Sequence, residues 1–137
     1  MTTSGSNRVR RGYLDSSALV KLVIREPQSH TLRAAVAGLG WQVSSELAVV
    51  EVGRRARRHG RDADARARGV LAYTHLRPLD RNVLDLAAEL EPTGLRSLDA
   101  IHLATALSLD GLDVFVSYDS RLNEAAAAAG LSVEAPR

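Results

Sequence analysis

The feature that most constrains this 137-residue chain is an alternation of short apolar runs of strand length with longer segments of helical period, continuing from residue 12 to the end. Read by period, cap and breaker, the order begins with a strand at 12–15, helices at 16–24 and 28–37, and a strand at 41–43. A helix from 46 to about 58, a helix at 62–76, a strand at 77–79 and a helix at 83–90 follow. A helix from 97 or 98 to 109, a strand at 112–117, a helix from 119 or 120 to Gly130 and a strand at 131–133 complete the order. Ser44, Ser45, Asp62 and Asp80 are the expected caps, Gly38, Gly40 and Gly60 the stops, and Pro78 marks the start or the edge of its strand. Strands separated by helices imply an α/β fold with a mostly parallel central sheet covered on both faces.

Functional groups of an open α/β sheet gather beyond the carboxyl ends of the strands, where the next helices begin. That rule selects three acids. Asp15 ends the first strand, Asp119 lies just past the strand at 112–117, and Asp99 lies in the first turn of its helix. Helix starts carry partial positive charge and favour carboxylates as caps, so each of the three, taken singly, has a purely structural reading as well. Glu51 is harder to place. It stands inside Leu47-Ala48-Val49-Val50-Glu51-Val52-Gly53, and a buried carboxylate needs a partner or a metal. The alternative is a wet helix face on which Glu51 pairs with Arg54 or Arg55.

Several carboxylates brought together repel one another, and such a cluster suits a hard cation with oxygen ligands, Mg²⁺ or Mn²⁺. A cation of that kind serves phosphodiester hydrolysis. No His/Cys pattern points to zinc. Ser16 and Ser17 lack the Gly-x-Ser-x-Gly setting of a serine hydrolase, and no phosphate-binding glycine loop is present. His102 follows Asp99 by one turn and either touches substrate or packs, the packed reading being favoured. His30, His59 and His75 have no recognisable context.

Composition narrows the partners. Of 18 basic residues, Lys21 is the only lysine. Arginine matches phosphate oxygens with a fixed fork of donors, although codon bias gives the same excess. The cluster Arg54, Arg55, Arg57, Arg58, His59 and Arg61 is either an RNA-backbone contact or a solvated helix end. There is no cysteine, which excludes disulfides, thiolate metal sites and cysteine nucleophiles and agrees with a reducing, cytoplasmic setting. No apolar run approaches the roughly 18 residues of a membrane span. Residues 1–11 are polar and basic without the apolar stretch of a secretory signal, and are expected to be a flexible tail ahead of a single domain at 12–137.

Four stretches, in order, resemble the PIN-domain family, and within it the VapC toxins of bacterial toxin–antitoxin pairs. Tyr13-Leu14-Asp15-Ser16-Ser17-Ala18-Leu19 resembles the family's opening strand and first acid. The stretch from Ser45 to Ala56 resembles the helix bearing the second acid, with Glu51, not Glu46, in that place and Arg54 in the basic place after it. Leu98-Asp99-Ala100-Ile101-His102-Leu103-Ala104-Thr105-Ala106 is the most specific match and holds the third acid. Phe115-Val116-Ser117-Tyr118-Asp119-Ser120-Arg121-Leu122 holds the fourth.

The resemblance implies a three-layer α/β/α fold and a Mg²⁺- or Mn²⁺-dependent endoribonuclease that cleaves RNA with a metal-activated water. Asp15, Glu51, Asp99 and Asp119 would surround the metal, with Ser16 and Ser117 in support and Arg121 among the RNA contacts. It also implies a VapB-like antitoxin and a homodimer, by analogy. Two rivals stand beside it. One is an Asp-phosphorylated receiver or phosphatase, which fits poorly because Ser17 occupies the place of a phosphatase's second acid. The other is an inactive scaffold that only binds RNA or protein. The residues themselves do not separate RNA from DNA.

Overall fold

The computed structural model describes residues 9–137. The expected tail falls largely on residues 1–8, outside the described residues. Strands β1 (Arg11–Leu14), β2 (Trp41–Ser45), β3 (His75–Arg77), β4 (Val114–Val116) and β5 (Val133–Glu134) form one sheet in the order β3-β2-β1-β4-β5. Every pairing is parallel. The helices are α1 (Ser16–Val23), α2 (Ser29–Ala37), α3 (Leu47–Arg57), α4 (Arg61–Tyr73), α5 (Arg81–Glu89), α6 (Ser97–Leu107) and α7 (Ser120–Ala128).

Strand alternation feeds two cores. Leu14, Val114 and Val116 point into a cluster with Ala18, Leu19, Ala48, Val52 and Ala56, so α1 and α3 cover that face. Tyr13, Val43 and Phe115 point into a second cluster with Leu103, Leu122 and Ala125, so α6 and α7 cover the other. The sheet is buried on both faces, as an all-parallel sheet requires. The chain builds outward from β1 to β3 and then returns to place β4 on the other side of β1. The topological switch point therefore lies between β1 and β4, where a crevice opens beyond their carboxyl ends.

Several boundaries differ from the sequence reading. The third strand is His75–Arg77 rather than 77–79, and α4 stops at Tyr73 rather than 76. Pro78 forces the residue before it into extended backbone and cannot donate to a ladder, so the strand ends ahead of it. Beyond it, the Leu79 amide turns to the Glu46 side chain. β2 runs through Ser44 and Ser45, while Ser45 still accepts the Leu47 amide at 3.0 Å. The strand expected at 112–117 is trimmed to Val114–Val116, opposite Gly12–Leu14 of β1. The last strand starts at Val133 because Leu131 is spent closing α7. Its amide bonds to the Ala126 carbonyl and that of Gly130 (φ +99°) to Ala127, the two bonds of a glycine-closed helix end. Among the described residues no helix is long and apolar enough to cross a membrane.

Candidate active site

Four acids reach one cavity from four different elements. Asp15 follows β1 and Asp119 follows β4, on either side of the switch point; Glu51 comes from α3 and Asp99 from the first turn of α6. They line a hollow of about 380 Å³ together with Ser16, Ser17, Arg55, Arg96 and His102. Since α3 and α6 lie on opposite faces of the sheet, the site bridges both layers at the sheet's end.

Asp15 and Asp119 prove to be helix caps and cavity walls at once. Asp15 is only 3% exposed. Its Oδ1 accepts the Ala18 amide at 3.0 Å and the Ser17 hydroxyl at 2.7 Å, and its Oδ2 accepts the Ser117 hydroxyl at 2.7 Å. Asp119 accepts the Leu122 amide on Oδ1 at 2.9 Å, while its own amide donates to Ser117 Oγ at 3.0 Å. The buried Ser117 hydroxyl thus ties the first and fourth acids together.

Glu51 lies beside the buried stripe Ala48, Val52 and Ala56 of α3. It does not pair with Arg54 or Arg55, so the wet-face reading fails; Arg55 instead reaches Glu26 at 3.7 Å. Its Oε1 takes a short hydrogen bond from the Ser16 hydroxyl and lies 2.8 Å from His102 Nε2. The same Nε2 is 3.0 Å from Ser16 Oγ, and Nδ1 is 2.7 Å from the Tyr13 hydroxyl. Asp99 has no hydrogen-bond partner among the described residues.

The acids are electrostatically unequal. Burial pushes the Asp15 carboxyl above its ordinary range, and the bonds from Ser17 and Ser117 offset only part of that. Burial also raises Asp99, followed by the negative charges of Asp119 and Asp15. Glu51 moves the other way. Burial raises it, but the bonds from His102 and Ser16 and the electrostatic pull of His102 outweigh burial and hold it below its ordinary value.

Of the arginines singled out in the sequence, Arg55 lines the cavity, four residues from Glu51 on the same helix face. Arg54, Arg57 and Arg58 are exposed and do not. Arg121 lines an adjoining hollow of about 290 Å³ that shares Arg96, Asp99 and Asp119 with the first. The sequence reading passed over Arg96, whose only signal was its place immediately before a helix that carries an acid in its first turn. It gave Ser17 no role, and it favoured packing for His102. His102 is indeed packed, at 1% exposure, yet its outer nitrogen belongs to the cavity wall.

A family model described as PIN domain matches residues 12–128, most of the chain. The chain belongs to the PIN-domain family. Relatives include Ribonuclease VapC46 of Mycobacterium tuberculosis, 48% identical over 126 residues, which cover 90% of this chain and 96% of that protein. Ribonuclease VapC47 of the same species is 43% identical over 116 residues, covering 80% and 85%. Among solved structures, Mycobacterium tuberculosis VapC20, a toxin that cleaves the sarcin–ricin loop, superposes with a TM-score of 0.73 at 17% identity, covering 92% of this chain and 99% of its own. A toxin–antitoxin complex from Klebsiella pneumoniae gives 0.71 at 20%, covering 92% and 98%. At such identities the structural likeness speaks for the PIN fold.

PIN-domain ribonucleases generally depend on divalent metal ions. Among the described residues, no three His, Asp or Glu side chains stand as a ready-formed metal cage. The donors nevertheless fit a hard dication in kind. They are carboxylate oxygens, both ring nitrogens of His102 being engaged, and Asp99 is held back from ionising by burial and by its acidic neighbours.

Proposed function

We propose that this protein is a Mg²⁺- or Mn²⁺-dependent endoribonuclease, the toxin of a toxin–antitoxin pair, with Asp15, Glu51, Asp99 and Asp119 as the acids that hold the metal. The observation that carries the reading is the meeting of these four, from both helical layers and both sides of the switch point, at one cavity. The family and the ribonuclease relatives agree with it.

When bound, the cation neutralises phosphate charge and makes water acidic enough to attack near neutral pH. The protein's own groups divide the remaining work. Asp15, fixed by three hydrogen bonds, supplies an oxygen whose place does not vary. Ser117 holds Asp15 and, through the backbone, Asp119. Ser16 holds Glu51. Asp99, unconstrained by hydrogen bonds, is the acid most able to turn toward a ligand. Arg55 and Arg96 offer guanidinium groups to the non-bridging oxygens of the scissile phosphate and its neighbour, and Arg121 continues the cationic side into the adjoining hollow.

In this reading residues 12–137 act as one domain, in the cytoplasm, as a homodimer restrained by a VapB-like antitoxin. The toxin–antitoxin complex among the structural neighbours supports the last point. The receiver form of the phosphoryl-accepting rival loses ground on topology. A receiver sheet is ordered 2-1-3-4-5, whereas this one is 3-2-1-4-5. Its sole lysine, Lys21, is bonded to Glu26 and Gln28.

The test is hydrolysis of a defined RNA, and of DNA of the same sequence, by wild type and Asp15→Asn with Mg²⁺, Mn²⁺ or chelator. Wild type is expected to cut RNA only with metal, and the variant to fall to background. Metal-dependent cutting that survives in the variant would refute the assignment of Asp15, and equal cutting of DNA would refute the choice of RNA.

A further inference from the structure

The buried Tyr13–His102 pair has no place in the chemistry above, yet it runs from the core to the cavity wall. Tyr13 is fully buried, its ring stacked on Phe115 with centroids 5.4 Å apart and planes 4° apart. Its hydroxyl meets His102 Nδ1 at 2.7 Å, and the two rings stand edge-on at 74°. On the far side of the imidazole, Nε2 faces Glu51 Oε1 at 2.8 Å.

Hydrogen-bond inventory fixes where the proton must lie. Were Nε2 bare, its lone pair would point at a carboxylate oxygen, a repulsive contact at that distance. Nε2 therefore carries the proton and donates it to Oε1. Nδ1, on the other side of the ring, meets the Tyr13 hydroxyl at 2.7 Å. The Ser16 hydroxyl donates to the same Oε1. Both donors converge on one oxygen, and Glu51 Oε2 has no protein partner among the described residues.

We propose that His102, oriented by Tyr13, is a positioning residue that holds Glu51 by Oε1 and leaves Oε2 for the cation. The proposal rests on the nuclease reading given above. A glutamate side chain has three rotors to freeze, and a ligand already frozen when the cation arrives is the stronger one. The bond also spans the layers, since His102 stands on α6 and Glu51 on α3. It thereby sets the second acid relative to Asp99, which lies three residues before His102 on the same helix face. A histidine serving only to fill the core would not need its outer nitrogen aimed at a cavity acid.

The experiment is calorimetric titration of the full chain with Mn²⁺, without RNA, for wild type, Tyr13→Phe, His102→Gln and His102→Leu, alongside ¹⁵N NMR of the histidine rings. Groups that orient a metal ligand typically change metal affinity by about 10–100-fold when removed, and His102→Leu is expected to weaken Mn²⁺ binding by that factor. His102→Gln, which keeps an N–H able to reach Oε1, should recover most of the affinity. Tyr13→Phe, which keeps the core's shape, should weaken binding to an intermediate degree and provides the readout if the leucine variant does not fold. RNA cleavage should show kcat falling with KM unchanged, because the arginines are untouched. The NMR spectrum should show His102 protonated at Nε2. A bare Nε2, or a folded His102→Leu that binds Mn²⁺ as wild type does, overturns the proposal while leaving the nuclease reading intact. A wild type that binds no Mn²⁺ and cuts no RNA overturns both.

Discussion

Replacing Asp99 by asparagine should stabilise the metal-free protein while destroying the site. Asp99 makes no hydrogen bond among the described residues, so the amide forfeits no partner, and its ionisation is opposed by burial and by Asp119, Asp15 and Glu51. A hollow of 380 Å³ drawn as a sphere is about 9 Å across, so facing carboxylates repel by roughly 1 kcal/mol each at an effective dielectric of about 40, between surface and bulk values. Salt screening and the opposing pull of His102 reduce three such contacts to a net of about 1–2 kcal/mol. For a domain of this size that is a rise in Tm of about 3–10 °C. The sign depends on pH in a way that a packing effect would not reproduce. A carboxyl whose folded pKa is raised costs nothing below its unfolded pKa, and the wild type loses stability as pH rises through the raised value. Thermal melts of the two chains in chelator should therefore coincide at acid pH and separate toward neutrality, the variant higher. Added Mn²⁺ should reverse the order, since only the wild type gains from tight binding. A variant less stable than wild type at neutral pH without metal, or a gap independent of pH, would refute the electrostatic reasoning.

Three further outcomes follow from the same geometry. Ser117→Ala removes a buried donor to Asp15 and the acceptor of the Asp119 amide, and should cost about 1.5–3 kcal/mol in urea denaturation with an unchanged slope; a loss below about 0.5 kcal/mol would mean that the hydroxyl does not hold the two acids. Arg96→Gln should raise KM for RNA with little change in kcat and reduce the salt dependence of binding by about 0.7 in log–log slope; an unchanged slope would remove Arg96 from phosphate contact. Gly130→Ala, at φ +99°, should cost about 1–2 kcal/mol by thermal melting and leave cleavage at low temperature unaltered; a loss of kcat there would tie the end of α7 to the site.

What the sequence discloses and what it hides follow from the range of the interactions involved. The sheet was legible because alternation of strand and helix is a local pattern, and Asp15, Asp99 and Asp119 were legible because topology alone sends strand ends and helix starts to one edge. Glu51 stood out as a charge within an apolar helix. His102 did not, because a histidine three residues after an acid looks the same whether its nitrogens face solvent, core or cavity. Only the packing of α6 against Tyr13, 89 residues away in the chain, decides that. The arginine cluster could not be divided from sequence for a related reason. Clustering along the chain does not tell which members reach the cavity: Arg55, one turn past Glu51, lines it, while Arg54, Arg57 and Arg58 are exposed outside it. Pro78 was read as the start of the third strand or as the mark of an edge; the strand does lie at the sheet's edge, but it ends just before the proline.

Gathering like charges into one hollow works against folding, so the elements that carry them need anchoring elsewhere. Each acid here borders a buried core residue. Leu14 precedes Asp15 with no exposure, Val52 follows Glu51, Ala100 follows Asp99 at 7%, and Leu122 lies one turn past Asp119. The repulsion is thereby confined to side-chain tips at the ends of rigid elements, and the backbone positions do not give way to relieve it. The hydrogen bonds then sort the acids by how firmly each is held. Asp15 is locked on both oxygens and Glu51 on one, Asp119 spends one on its helix, and Asp99 spends none. A gradient from fixed to free suits a site that must keep its shape before a ligand arrives and still close around it afterwards, and that gradient follows from three serines, one histidine and two helix-start amides rather than from the acids themselves.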